Sequence, residues 1–340
     1  MSYKSAGFGG LLLTAALTIP VPLFAAPAVP APGESIPARA PDTKADIQSN
    51  LPTEEGRQGE ESFTITSVRV EHEGLRLRDE KLRELLAPVT GREITVTELS
   101  RGIAALTRYA REQGYPAAAA YIPAQTAVEG SLLVRIAPGR LGKLHIENSS
   151  RLRDTVAKGI LAGLREGEII RSRTLEKALR NLGTLSGVEA VGVLSPGAEE
   201  GTSDLTVKVA DGKRNSLIVY SENYGSKSAG RYRYGLQGEL GNLFGGGESL
   251  TLGALLSNRR QHGYNISLEI PVGHSATRLG LGFSRSDYEL GAEAQALGAE
   301  GMTNTYSIFG RTPLINSSRN SLALTYGYDY REIRNCRLIT

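Results

Sequence analysis

The hydrophobic period of the sequence changes after Asp211, from helical spacing to strict alternation. Beyond it, apolar and polar residues alternate in runs of about ten, separated by turns rich in Gly, Asn and Ser. One run places Tyr264, Ile266, Leu268, Ile270 and Val272 opposite Asn265, Ser267 and Glu269. Ten of the 14 tyrosines follow residue 212, and tyrosine suits the boundary between lipid and water. The pattern predicts part of an antiparallel transmembrane β-barrel over residues 212–340.

The N-terminus has the three parts of a secretory signal peptide. Lys4 is followed by no charged residue until Glu34, residues Leu11–Ala26 are largely apolar, and small residues follow at 25–28. A membrane anchor needs about 20 uninterrupted apolar residues, and Pro20 and Pro22 interrupt this run. We therefore predict a signal peptide over residues 1–28 and an exported chain. Export favours the barrel over a soluble β-sandwich, whose strands show the same alternation.

The segment 29–61 is rich in Pro, Ala, Asp, Glu and Ser and has almost no large apolar residues. Such a composition buries too little apolar surface to order a chain, so we expect a disordered linker. A weak helical pattern occurs at Asp46–Leu51. The single cysteine, Cys336, excludes a disulfide framework.

Residues 62–211 contain the same α+β order twice, β-α-α-β-β, with an offset of roughly 75 residues. In the first unit, 62–139, we predict a strand at Phe63–Val70, helices at Asp79–Leu86 and Leu99–Ala110, and strands at Ala117–Ile122 and Leu132–Ile136. In the second unit, 140–211, we predict a strand at Leu141–Ile146, helices at Leu152–Leu164 and Ser172–Leu185, and strands at Val188–Leu194 and Leu205–Val209. The fold class is thus two α+β modules followed by an incomplete antiparallel barrel.

The sequence carries no motif for catalysis or for a cofactor. It contains no Gly-x-Ser-x-Gly elbow, no phosphate-binding Gly-x-x-x-x-Gly-Lys-Ser/Thr and no His-Glu-x-x-His. The carboxylate pair Glu199-Glu200 lies in a turn, and the four histidines are scattered. We therefore expect neither an enzyme nor a bound cofactor or metal.

Several segments resemble two-partner secretion transporters, the haemolysin secretion/activation family of outer-membrane proteins. The first unit is similar to their first POTRA module at Gly114-Tyr115-Pro116, Ala120–Gln125, Gly130–Val134 and Gly139. The start of the alternating region is similar to their first barrel hairpins at Asn223-Tyr224-Gly225, Gly230–Arg233 and Asn242–Leu250. The resemblance covers about residues 60–333 and keeps the family order of signal peptide, two POTRA modules and barrel.

The resemblance implies a 16-stranded barrel in the outer membrane, with POTRA modules in the periplasm, that exports one large unfolded exoprotein with an N-terminal secretion domain. Lys213–Thr340 comprises 128 residues, enough for about seven strands at roughly 18 residues each, whereas sixteen would need roughly 290. We therefore expect the front half of such a transporter.

Binding of an extended client is the expected task of the modules, because an open sheet edge can accept an added strand. In the first module the strand Ala117–Ile122 is short, small and uncharged, and it is bounded by Pro116 and Pro123. It also lies within the segment of family resemblance. The candidate client-binding residues are Ala118, Ala120, Tyr121, Ile122 and Gln125. A hydrophobic groove beside the helix Leu99–Ala110 is the alternative.

The expected partners are the secreted exoprotein and outer-membrane lipid. The stretch Arg140–Arg180 has ten Lys/Arg against five Asp/Glu, which suits either a solvated helical face or anionic headgroups. Nucleic acid is not expected, because the net charge is only +3, no aromatic residues interleave the basic stretch, and the chain is exported. Two other functions stay open: a barrel-assembly insertase, and a soluble periplasmic binding protein if the half-barrel does not insert.

Overall fold

The chain forms two α+β modules and one antiparallel sheet in a computed structural model. The structure describes residues 3–6, 11–18, 46–49, 62–125, 130–223, 225, 230–258, 261–273, 275–289, 299–316 and 320–337. The N-terminal strands are β1 (Tyr3–Ala6), β2 (Leu11–Thr18) and β3 (Asp46–Ser49). The first module contains β4 (Ser62–Ile65), β5 (Ser67–Glu71), α1 (Asp79–Leu86), β6 (Arg92–Thr95), α2 (Val96–Glu112), β7 (Ala119–Tyr121) and β8 (Ser131–Ala137), with a 3-10 turn at Ala87–Val89.

The second module and the large sheet complete the fold. The second module contains β9 (Arg140–Asn148), α3 (Asp154–Leu161), α4 (Ser172–Gly183), β10 (Val188–Pro196) and β11 (Thr202–Asp211). The sheet then contains β12 (Asn215–Glu222), β13 (Arg233–Gly241), β14 (Ser249–Ser257), β15 (His262–Val272), β16 (Thr277–Glu289), β17 (Ala299–Asn316) and β18 (Ser321–Arg337). The predicted count of about seven strands after Lys213 is confirmed.

Two layers of helix and sheet bury the core of the first module. Helix α2 begins at a capping box, in which the Thr95 side chain accepts from the Glu98 amide and the Glu98 carboxylate accepts from the Thr95 amide. Its apolar stripe buries Leu99, Ile103 and Leu106 against the strands. Helix α1 has the predicted bounds, and α2 extends the predicted helix by a turn or less at each end.

The expected single strand at Phe63–Val70 is two strands in different sheets. Strand β4 pairs with β6, whereas β5 pairs in parallel with β8. The break falls at Thr66, whose amide donates to the carbonyl of Gly130 at 2.9 Å. The alternation also slips at this point in the sequence. The predicted β-α-α-β-β order is therefore wrong in detail for the first module. Its first strand is divided into β4 and β5, and the additional strand β6 lies between the two helices.

The second module has the predicted β-α-α-β-β order, and β9, β10 and β11 form its sheet with α3 and α4 on one face. Leu175, Leu179 and Leu182 of α4 are buried at helical spacing against these strands. The two modules are joined by more than one connection. The Ser172 amide donates to the Gly114 carbonyl at 2.9 Å, and Ile169 packs on the core of the first module.

Part of the expected disordered linker is ordered. Strand β3 pairs in parallel with β10, with Gln48 opposite Val193, and Ile47 packs on the core of the second module. The helix indicated at Asp46–Leu51 is therefore wrong over residues 46–49, which form a strand. The open edge of β10 offers backbone hydrogen bonds that an isolated helical turn lacks. The rest of 29–61 lies outside the described residues.

The large sheet runs β12 to β18 in sequence order, with every neighbouring pair antiparallel. Strands β1 and β2, from the segment predicted as a signal peptide, pair with the free side of β18. Among the described residues β12 pairs only with β13, so this part of the chain does not form a closed barrel. Removal of residues 1–28 on export stays a prediction.

Candidate functional site

The predicted binding strand is closed on its outer side by helix α2. Strand β7 pairs with β8 on one side and is the last strand of its sheet. On its other side, the Ala120 amide donates to Thr107 Oγ1 at 2.9 Å, and the Ala118 carbonyl accepts from Arg111 Nε at 3.1 Å. The Ala118 amide donates to the Tyr115 carbonyl at 2.9 Å. Ala118 and Ala120 are buried, so their small side chains serve close packing against α2.

The other three predicted residues lie nearer the surface. Tyr121 and Ile122 are half-buried and Gln125 is exposed. The Gln125 amide group pairs with the backbone of Leu133, donating to its carbonyl at 2.7 Å and accepting from its amide at 2.8 Å. Gln125 therefore continues the β7–β8 ladder with its side chain and holds the chain that follows β7.

The opposite edge of the same sheet is open. Every second residue of a parallel strand directs its amide and carbonyl to the neighbouring strand. Ser67 directs its amide to Gly130 of the β8 side, so Val68 and Val70 direct theirs away from β8. No strand in the described part of the chain pairs with that side of β5.

A groove of about 690 Å³ lies between this open edge and helix α1. Val68, Val70, Leu82 and Leu86 supply its apolar surface, and Arg83 and Thr90 lie at its margin. At one end His72 Nε2 lies 2.9 Å from Asp79 Oδ1, and the buried His72 Nδ1 has no hydrogen-bond partner among the described residues. An open strand edge beside an apolar groove is the arrangement that accepts an extended peptide with alternating side chains.

Charged groups around the first module are held by local hydrogen bonds. The backbone amide of Thr95, with help from Arg92, lowers the pKa of Glu98. Burial lowers the pKa of Arg111. On the exposed face of β5, the hydrogen bond from Arg135 to Glu71, 3.0 Å long, raises the pKa of Arg135. These groups stabilise the framework around the groove.

The large sheet has one apolar exposed face. Along β15, Tyr264, Ile266, Leu268 and Ile270 are exposed while the intervening polar residues are half-buried, as predicted. Residues directly opposite in the register share this face, as Leu268 does with Leu250 and Leu281. Aromatic rings cross four strands in a row, with centroid distances of 6.2, 5.2 and 6.3 Å along Tyr264, Phe283, Tyr306 and Tyr330. An apolar band with an aromatic row is typical of a lipid-facing barrel surface.

The inner face of the sheet meets the second module where β13 turns into β14. Both Arg153 N and Nε donate to the Gly245 carbonyl, at 2.9 and 3.4 Å. The Glu248 carboxylate accepts from the amides of Phe244 and Gly246, which shapes the turn. Arg278 of β16 reaches the same region. The sequence singled out neither Arg278 nor the β5 edge, because each depends on neighbours distant in the chain.

No helix among the described residues is long and apolar enough to cross a membrane. Within the same residues, no group of three or more His, Cys, Asp and Glu side chains is placed to hold a metal ion.

Comparisons with known proteins match both parts of the chain. Residues 201–337 match the family described as Haemolysin secretion/activation protein ShlB/FhaC/HecB, and residues 63–139 match the ShlB-type POTRA domain. The Heme/hemopexin transporter protein HuxB of Haemophilus influenzae is 26% identical over 274 residues, which cover 80% of this chain and 48% of HuxB. The outer membrane transporter CdiB of Dickeya dadantii is 24% identical, over 70% of this chain and 40% of CdiB.

A solved structure agrees with the fold. The structure of CdiB from Escherichia coli superposes with a TM-score of 0.59 and 23% identity, covering 84% of this chain and 54% of CdiB. This likeness supports the fold class predicted from the sequence, POTRA modules followed by part of a barrel. The chain spans about half the length of the curated relatives it matches.

Proposed function

We propose that the chain serves two-partner secretion, because residues 201–337 match the haemolysin secretion/activation family and residues 63–139 match the ShlB-type POTRA domain. In this proposal the sheet lies in the outer membrane, the modules lie in the periplasm, and together they pass one large unfolded exoprotein outwards. The matched relatives HuxB and CdiB are both named as transporters, which supports this assignment. The apolar exposed face of the sheet supports the membrane location.

The first module captures the exoprotein by strand addition at the open edge of β5. This edge is favoured over the β7 edge by one observation: the Val68 and Val70 backbone faces the groove beside α1, whereas the outer amide of Ala120 is already bonded to Thr107. An added strand gains backbone hydrogen bonds along β5 and places every second side chain in the groove beside α1. Because backbone bonds carry no side-chain preference, the groove suits many unfolded sequences.

Site-specific photo-crosslinking distinguishes the two edges. A photoreactive residue is placed at Arg83, on the groove margin, or at Tyr121, on β7, and the full chain is mixed with a urea-unfolded secretion domain of a two-partner exoprotein. We expect the Arg83 position to capture the domain and the Tyr121 position to capture little. Capture at Tyr121 alone would move the site to the edge predicted from the sequence, and capture at neither would contradict binding by this module.

A backbone substitution then tests the mode of binding. Val70→Pro removes an amide from the open edge, while Val70→Thr keeps the amide and the branched shape. We expect at least a tenfold loss of affinity for Val70→Pro and less than a threefold loss for Val70→Thr, with circular dichroism showing that both variants fold. Equal affinities for the two folded variants would refute strand addition at β5.

A further inference from the structure

The C-terminal end of helix α4 lies at the end of the large sheet nearest the second module. Arg278 of β16 donates to two backbone carbonyls there, from Nη1 to Thr184 at 3.1 Å and from Nη2 to Gly247 at 3.2 Å. Thr184 is the C-cap of α4, and Gly247 belongs to the β13–β14 turn. One guanidinium thus ties the second module to both the sheet and its turn.

The charge of Arg278 suits this position. The last carbonyls of a helix lack intrahelical partners and carry the negative end of the helix dipole, so a cation stabilises them. Arginine presents several donors in a rigid fork, which lets one side chain bind two carbonyls at once. The Arg278 side chain is only 19% exposed, and its Nε lies 3.6 Å from Glu269, which balances the charge.

The surrounding contacts are polar as well. Glu239 Oε1 accepts from Ser186 of the second module at 3.2 Å and from Ser249 of the sheet at 2.7 Å. Asn316 of β17 donates to Asn181 of α4 at 3.3 Å. Leu185 supplies an apolar contact, because it packs against Gly247 so closely that a Cβ there would lie 3.0 Å from it.

We propose that Arg278 is a positioning residue that latches the second module across this end of the inner face of the sheet. Polar contacts of this kind resemble interfaces between domains that move relative to each other, whereas permanent interfaces are larger and apolar. The latch therefore holds one orientation of the module and can open without unfolding either part. This inference concerns the module–sheet junction and does not depend on how the first module binds a client.

Hydrogen exchange of the full chain in detergent micelles tests the latch, with Arg311→Met as the matched control for Arg278→Met. Arg311 lies directly opposite Arg278 on the same face, and no hydrogen bond of its side chain occurs among the described residues. The reporter is the Arg153 amide, which bonds to Gly245 across the junction. We expect exchange of this amide to accelerate at least tenfold in Arg278→Met, to stay within twofold in Arg311→Met, and to take an intermediate value in Arg278→Lys.

Equal acceleration in both methionine variants, or none in Arg278→Met, would overturn the proposal. If Arg278→Met also loosens the sheet itself, exchange along β15 and β16 becomes faster. In that case a disulfide measurement tests the latch instead. In a Cys336→Ser background, Ser186→Cys and Ser249→Cys replace two hydroxyls that bind the same Glu239 oxygen. We expect this pair to close under mild oxidation when Arg278 is intact and at least tenfold more slowly in Arg278→Lys; failure to close with Arg278 intact, or equal rates, refutes the latch.

Discussion

Replacing Leu268 with arginine is expected to oppose insertion of the sheet into lipid, whereas the same change at Ser267 is not. Leu268 is 37% exposed on the apolar face, and its register partners on both sides are leucines. Ser267 is the adjacent residue and points to the inner face, opposite Thr251 and Gly282. The two variants therefore place the same charge at the same depth of the same strand, once on each face of the sheet.

The magnitude follows from the position of Leu268 along its strand. Strand β15 has 11 residues, which corresponds to about 37 Å, or roughly 28 Å of depth at a tilt near 40°. Leu268 is seventh in the strand and so lies near the middle of the apolar band. An arginine facing lipid at that depth costs about 2–4 kcal/mol, which is roughly a 30- to 700-fold change in an equilibrium constant.

Vesicle flotation measures this effect, combined with urea titration followed by far-ultraviolet circular dichroism. The chain has no tryptophan, so intrinsic indole fluorescence is not a usable probe. We expect most of the Leu268→Arg protein to stay behind when the vesicles float. The floating fraction of Ser267→Arg should fall by less than threefold. Equal losses, or a larger loss for Ser267→Arg, would refute a lipid-facing surface and favour a soluble sheet with one buried face.

Three further predictions concern the modules. Leu106→Ala empties a fully buried position of the first core and should lower its free energy of unfolding by about 2–5 kcal/mol in calorimetry; a change below about 1 kcal/mol would contradict the packing. Glu98 has a lowered pKa, so its stabilising effect is present at neutral pH and is lost as the pH falls below about 4.3 through the folded value. The difference in melting temperature between Glu98→Gln and the parent should therefore shrink towards pH 3, and a constant difference would argue against the capping box. Ile47→Asp should release β3 and speed exchange of the β10 edge amides near Val193; unchanged exchange would rule out this pairing.

Local patterns were sufficient where a residue's neighbours lie close in the chain. The bounds of α1 follow from the helical spacing of its apolar residues. The exposed face of β15 follows from a period of two, since any register that buried Ile266 would bury Leu268 with it. The resemblance to secretion transporters likewise rested on short motifs and on the order of parts, and the family matches confirmed it.

The candidate binding strand shows where such reasoning ends. Small uncharged residues at Ala118 and Ala120 predict close approach, but they do not say what approaches. In the folded module the neighbour is α2, and the Ala120 amide donates a hydrogen bond to Thr107, 13 residues earlier in the chain. Strand β5 is an edge strand because β8 lies at the centre of the sheet, between β5 and β7. This order depends on pairing between segments that are distant in the sequence.

Periodicity along the chain was enough to predict the longer helices, the alternating strands of the large sheet and their apolar face, but it missed β6 and indicated a helix where β3 lies. Which strand edges stay open and which charged side chains find partners depended on how distant segments pack in space. Arg278 looks like any inward polar residue of an alternating strand, and it becomes a link to Thr184, 94 positions earlier in the chain, only when the second module and the sheet come together. A hydrogen bond depends on distance and angle in space, and the sequence records neither until the modules and the sheet are docked.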